Sequence, residues 1–269
     1  METGRIQLEL FVSKKKYLTP HYIRITLTGD GIEAIANTTV GINNKILIPP
    51  AGLSKIYFPK YDAEKRQWIE LSDEIRPWVR TYTHRGIDLE KKEIWIDFVA
   101  HGDEGPASAW AINARPGDVL GVMMKEKKTE LYPQADNYIL IADATGIPVL
   151  GAILEDLPAT AKGICIIEVH GKEDEQNLET KANMEFQWLH NDSPQKRSLL
   201  PAMLKRLELP EKSRYAYVAA EFSAVKEIRE YLRKGKKWQR DELDAFSYWK
   251  SGVAEDKSAT ERRQEMSEE

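Results

Sequence analysis

The stretch "WVRTYTHRG", Trp78 to Gly86, sets two arginines, a tyrosine and two threonines into a segment that otherwise reads as a β-strand. Burying such groups without partners costs roughly 1–3 kcal/mol each, so either the strand faces solvent or a polar ligand lies against it. Alternation puts Arg80 and Tyr82 on one face, a guanidinium able to grip a phosphate and an aromatic plane able to cover a flat ring. Thr83 then points elsewhere unless the strand bends, and its contact comes partly through its backbone N–H. A second stretch, "FVAHGDEGPASAWA" (Phe98 to Ala111), has glycines at 102 and 105 for a tight turn and Pro106 for the first turn of a helix. Free N–H groups converge just before Ala107 and Ser108, a place that attracts phosphate; a capped helix crossing a barrel end would use the same Gly-Pro turn. A third, "ADATGIP" (Ala142 to Pro148), follows a strand and opens a helix, where doubly wound sheets bind nucleotides, but it lacks a full glycine fingerprint.

Two different periodicities must position these residues. Through about residue 125, apolar and polar positions alternate with period two, as in Ile6/Leu8/Leu10, Ile23/Ile25/Leu27 and Ile94/Ile96/Phe98. "KILI", "LSKIYF", "RQWIEL", "VRTYTHR" and "DVLGVMM" read as further strands, which predicts a small antiparallel barrel interrupted by one helix from near Pro106. From Asn137 strands alternate with helical periods: "NYILIAD", "GICIIEV" and "RYAYVAA" as strands, "IPVLGAILEDL", "SLLPAMLKRLEL" and "SAVKEIREYLRK" as helices, with "FQWLH" and "DAFSYW" as additional strands. That order predicts a parallel sheet covered on both faces. The boundary falls within Lys125 to Asn137, giving domains over residues 1–130 and 131–269, the second ending in an acidic segment after Val253.

Composition narrows the function classes. A net charge of −4 argues against a dedicated nucleic-acid binder, which neutralises phosphates with excess lysine and arginine. The single cysteine, Cys165, sits in the apolar run "ICIIEV" and cannot form an internal disulfide or supply the ligands of an iron–sulfur cluster. The start "METGRIQLELFV" lacks the basic and apolar pattern of a secretory signal, and no apolar run approaches the roughly 20 residues of a spanning helix. A cytoplasmic protein without membrane insertion is the expectation.

Taken together, the motifs resemble the siderophore-interacting protein family, flavin-dependent ferric-siderophore reductases of the ferredoxin-reductase-like superfamily. "RTYTHR" is similar to that family's Arg-x-Tyr-Thr-x-Arg flavin motif, and "DFVAHGDEGPASAWA" to its second flavin segment; "ARPGD", "EVHGKEDEQ", "WLH" and "YWKSG" extend the likeness over nearly the whole chain. The resemblance implies an FAD-binding antiparallel β-barrel followed by an NAD(P)H-binding α/β domain with a parallel sheet.

It also implies roles for residues. Arg80 would bind the FAD phosphates or ribityl chain, Tyr82 would lie against the isoalloxazine, and Thr83 would hydrogen-bond near its reactive nitrogen, with Thr81 between them. His101, Gly102, Gly105, Ala107 and Ser108 would enclose the pyrophosphate and adenine side. Asp143, Thr145 and Gly146 are candidates for contact with NADH or NADPH, although "ADATGIP" departs from the acidic version common in the family and an ordinary strand-to-helix turn reads as well. His84 stands where the family pattern has an apolar residue or proline and receives no catalytic role; Trp110 is expected to pack its helix onto the barrel. Since a flavin accepts a hydride and returns electrons singly, no side chain is assigned the redox chemistry and no resident metal is expected. An anionic ferric siderophore favours a basic rim, for which Lys45, Lys55 and Lys250 are candidates, solvated surface charge being the alternative. A flavin reductase for another acceptor, such as a ferredoxin or free flavin, or a siderophore-binding module without turnover, remains open at this stage.

Overall fold

The computed structural model describes residues 4–253 except 63, 104 and 195; the acidic segment after Val253 lies outside the described residues. The chain divides into two compact units, one ending at Glu130 and the other beginning at Leu131.

The first unit contains β1 (Arg5–Thr19), β2 (Tyr22–Thr28), β3 (Asn43–Ile48), β4 (Lys60–Asp62), β5 (Gln67–Ile69), β6 (Trp78–Thr83), β7 (Gly86–Asp88), β8 (Glu93–Val99), α1 (Pro106–Asn113) and β9 (Val119–Lys125). Seven strands form an antiparallel half-barrel in the order β6-β3-β9-β1-β2-β8-β7. Its curvature starts in β1, which pairs with β9 over Arg5 to Phe11 and with β2 from Phe11 onward, with a register shift between Val12 and Lys14. Such an irregularity bends a strand and increases its twist. The period-two positions Ile23, Ile25, Leu27, Ile94, Ile96 and Phe98 are fully buried and form the core with Leu10, Ile46 and Val122. Helix α1 adds Ala107 and Ala111 to that core.

One expected strand is absent: "LSKIYF" runs as a loop. Buried Ile56 anchors it by packing with Leu47 and Val119, with Phe58 against the same cluster, and the Ile56 N–H donates to the Glu9 carboxylate at 2.7 Å rather than to a neighbouring strand. Gly121 permits this approach, since a Cβ there would stand 2.8 Å from Ile56 Cγ2. "RQWIEL" contributes only the short β5, which pairs with β4 in a separate two-stranded ribbon.

The second unit contains β10 (Asn137–Asp143), α2 (Ile147–Asp156), β11 (Lys162–Val169), β12 (Asn183–His190), α3 (Leu200–Leu204), β13 (Arg214–Glu221), α4 (Phe222–Glu230) and β14 (Leu243–Trp249). Its five strands are parallel in the order β12-β11-β10-β13-β14. The strand order reverses at β10, which places a switch point between the carboxyl ends of β10 and β13. Helix α3 is shorter than "SLLPAMLKRLEL" suggested. After Leu204 the backbone tightens, Arg206 N–H bonding to Met203 and Leu207 N–H to Leu204, so the helix ends in i→i−3 turns. Among the described residues no helix is long and apolar enough to cross a membrane.

Candidate functional site

Strand β6 is the last in its ladder, and register decides what each residue can reach. Trp78 stands opposite Ile48, Arg80 opposite Ile46 and Tyr82 opposite Asn44, so these three share the face of the buried core residues Ile46 and Ile48. Lys45 and Thr81 are paired on the other face, where the ammonium donates to the Thr81 hydroxyl. The N–H of His84 donates to Ile42 O at 2.8 Å, so by alternation the N–H groups of Thr81 and Thr83 point away from β3, across the outer edge. Thr83 itself is buried.

Beyond that edge lies β8. The Tyr82 and Phe98 rings have centroids 4.6 Å apart, and Arg85 N–H donates to Trp95 O at 3.2 Å. The Arg85 bond opens the antiparallel β7–β8 ladder, in which Gly86 stands opposite Trp95, and the ring pair places Tyr82 beside Phe98 near the carboxyl end of β8. Phe98 also packs on Trp110 at 5.7 Å, so Trp110 joins α1 to the core as its sequence position suggested. Arg80 is half-buried, donates to Val79 O at 2.8 Å and places its guanidinium carbon 5.6 Å from the Trp78 ring centroid.

The turn after β8 leads into α1, whose N-cap residue Gly105 provides no side-chain cap, and whose first N–H groups have no intrahelical acceptor. Gly102 has φ +94 and open space where a Cβ would stand, while a Cβ at Gly105 would press to 3.1 Å from the His101 ring. Ser108 is buried and its hydroxyl bonds twice within the turn. It accepts from the His101 N–H at 3.1 Å and donates to Gly102 O at 2.6 Å. Its side chain therefore holds the turn against the helix start, and what remains directed outward is backbone. Ala107 is buried beneath that turn, with His101 and Gly102 exposed.

At the switch point of the second unit, Asp143 accepts four hydrogen bonds. Thr145 N–H and hydroxyl donate to Oδ1 at 2.9 and 2.5 Å, and Glu221 N–H and Trp249 Nε1–H donate to Oδ2 at 2.8 and 2.7 Å. Burial raises the Asp143 carboxyl above the ordinary range, opposed by these donors. Glu221 caps α4 through Ser223 N–H at 2.5 Å and Ala224 N–H at 3.3 Å. Gly146 lies against β13, where a Cβ would stand 2.4 Å from Ala219 O. The side chains of Asp143 and Thr145 are thus engaged with each other and with the sheet ends, and Gly146 serves close packing.

The three lysines occupy unlike settings. Lys45 lies on the face of β3 opposite Arg80, Lys55 lies 5.7 Å from the Tyr57 ring in the loop, and Lys250 in the second unit lies 4.8 Å from the Phe222 ring. The end of the motif turns inward. His84 is fully buried, neither ring nitrogen has a hydrogen-bond partner, and burial with the nearby Lys128 charge pushes its pKa down to about 4. Sequence reasoning passed over Trp78, which the two-residue spacing from Arg80 already set on the same face.

Comparison with known proteins gives the same division of the chain. Residues 11–127 match the siderophore-interacting FAD-binding domain and residues 135–252 the siderophore-interacting protein family. The ferric vibriobactin reductase ViuB of Vibrio cholerae is 32% identical over 258 residues, 95% of this chain and 94% of that protein. The siderophore-interacting protein SipS of Aeromonas hydrophila superposes with a TM-score of 0.82 at 29% identity, covering 97% of this chain and 98% of that one. The fold extends to phthalate dioxygenase reductase, with a TM-score of 0.58 at 14% identity over 91% of this chain and 67% of that one. The chain belongs to the siderophore-interacting protein family, with an FAD-binding domain on a ferredoxin-reductase-like fold.

Proposed function

We propose that the protein is a ferric-siderophore reductase that carries electrons from NADH or NADPH through FAD. The observation that carries this reading is that Trp78, Arg80 and Tyr82 share one face of β6, with Tyr82 packed on Phe98 of β8, the strand that leads into the uncapped start of α1. Half-buried Arg80, the uncapped first turn of α1 and the open space over Gly102 fit a pyrophosphate. Tyr82, backed by Phe98, offers its remaining surface to the flavin plane. In this reading Arg80 pairs with phosphate, the N–H groups ahead of Ala107 and Ser108 add donors, and Thr81 and Thr83 contribute N–H groups from the edge of β6. Ser108 positions the 101–102 turn without touching the ligand through its hydroxyl. His101 and Gly105 shape the rim of that turn.

Bound FAD supplies the capacity to take two electrons from a nicotinamide and deliver them singly. The nicotinamide donor is assigned to the carboxyl ends of β10 and β13, where it meets the backbone of the 143–146 turn; Asp143, Thr145 and Gly146 keep that turn in shape. Ferric iron is held by hard oxygen donors, and one added electron weakens the match, so reduction releases the metal. The similarity to a protein named for ferric vibriobactin reduction supports this choice of acceptor over a ferredoxin or free flavin.

The test is anaerobic mixing of the FAD-loaded protein with NADH or NADPH and then with ferric siderophores. The expected result is bleaching of the flavin by one nicotinamide, followed by recolouring and a ferrous-trap signal on addition of the chelate. Bleaching that only a ferredoxin or free flavin reverses would reassign the acceptor, and binding of a ferric siderophore with no bleaching would make the chain a binding module.

A further inference from the structure

We propose that Trp78 is the stacking surface for the adenine ring, an inference that rests on the FAD site described above. Three residues in a row share one face of β6: aromatic Trp78, cationic Arg80 and aromatic Tyr82. Residues two apart on a strand are separated by about 7 Å, so Trp78 lies one strand step beyond Arg80, on the side away from Tyr82. Arg80 assigned to the pyrophosphate and Tyr82 to the isoalloxazine leave Trp78 at the remaining, adenine-bearing end of the dinucleotide.

The surroundings of Trp78 agree with a ring ligand. The residue is 52% exposed, although tryptophan is on average highly buried, and it lies on a strand rather than at a loop tip. The Arg80 guanidinium carbon lies 5.6 Å from its ring centroid, which orients the indole plane. An adenine stacked on the indole buries apolar surface that the described residues leave about half exposed. Every nucleobase offers a flat π face, and removal of a stacking aromatic typically costs about 1–3 kcal/mol per base, equivalent to roughly 5- to 150-fold in affinity.

The experiment is titration of the flavin-free full chain with FAD and with FMN, which carries the flavin and a phosphate but no adenine, followed by flavin fluorescence. In Trp78→Ala the FAD dissociation constant is expected to rise about tenfold or more, with Trp78→Phe restoring most of the affinity. FMN is expected to bind both variants as it binds the native chain, and ADP to displace FMN from Trp78→Ala less effectively than from the native chain. Unchanged FAD and ADP affinity in Trp78→Ala, as when the indole instead stacks on the ring of a chelate, would overturn the assignment. Equal weakening of FAD and FMN would overturn it as well, by making Trp78 a positioning residue for Arg80. A native chain that binds neither flavin would reject the underlying site rather than Trp78 alone.

Discussion

The indole N–H of Trp249 donates to the carboxylate of Asp143 at 2.7 Å, joining the carboxyl end of β14 to that of β10 across the intervening β13. With Glu221 N–H on the same oxygen and Thr145 on the other, one acidic side chain ties three strand ends to the turn before α2. An amide in its place would set an N–H₂ group against two donors on one side or the other. Asp143→Asn is therefore expected to lower the stability of the second unit by about 3 kcal/mol. Urea unfolding at neutral pH measures this, and a loss below about 1 kcal/mol would remove the carboxylate from its structural role.

His84 predicts an acid-sensitive first unit. Its folded pKa of about 4 lies below the ordinary value of 6.5, because burial and Lys128 disfavour the imidazolium. The unfolded chain then binds the proton first as pH falls, so the stability difference is fully present above pH 6.5 and is lost progressively down to pH 4. The interval corresponds to about 3 kcal/mol. His84→Leu removes two unpartnered ring nitrogens and the proton linkage together. It is expected to match or exceed the native stability at pH 7.5 and to exceed it clearly at pH 4.5 when the two are unfolded side by side in urea.

Two glycines separate packing from backbone strain. In Gly146→Ala the new methyl meets Ala219 O, Ala219 Cβ and Ala142 Cβ at 2.4 to 2.9 Å, with no flexible side chain to move aside. A loss of about 1–3 kcal/mol is expected, with no change in FAD affinity. In Gly102→Ala the methyl meets nothing, but φ +94 disfavours any side chain, so about 1 kcal/mol is expected together with weaker FAD binding as the turn shifts. The paired measurement is thermal unfolding beside FAD titration; the reverse pattern would exchange the two assignments.

A role for the three candidate lysines in holding the chelate is tested by charge reversal. With Lys45→Glu, Lys55→Glu and Lys250→Glu combined, the KM for an anionic ferric chelate is expected to rise roughly fivefold or more, with flavin content preserved and the salt dependence of the rate reduced. Kinetics that do not change would return all three to ordinary surface charge. Because Lys45 bonds to Thr81 on the face opposite Arg80, Lys45→Met separates loss of that contact from the charge effect.

Much of this molecule is legible one residue at a time. Alternation alone selected Ile23, Ile25, Leu27 and Phe98 as core, because a pleated strand sends every second side chain to the same side. The alternation of strand and helical periods after Asn137 announced a parallel sheet covered on both faces. The "RTYTHR" and "HGDEGPAS" segments could be identified as a polar strand and a helix start from residue type and spacing. What local pattern could not decide was how each polar atom is occupied. The donors to Asp143 include an indole that is 106 residues away in sequence, the partner of Ser108 is the turn it closes, and the atoms that make glycine necessary at 146 belong to Ala219. Long-range register also turned "LSKIYF" from an expected strand into a loop, since buried Ile56 and a carboxylate acceptor from Glu9 satisfied it without a ladder. Periodicity is a property of the chain and reports burial, whereas hydrogen-bond occupancy is a property of neighbours that only folding brings within 3 Å.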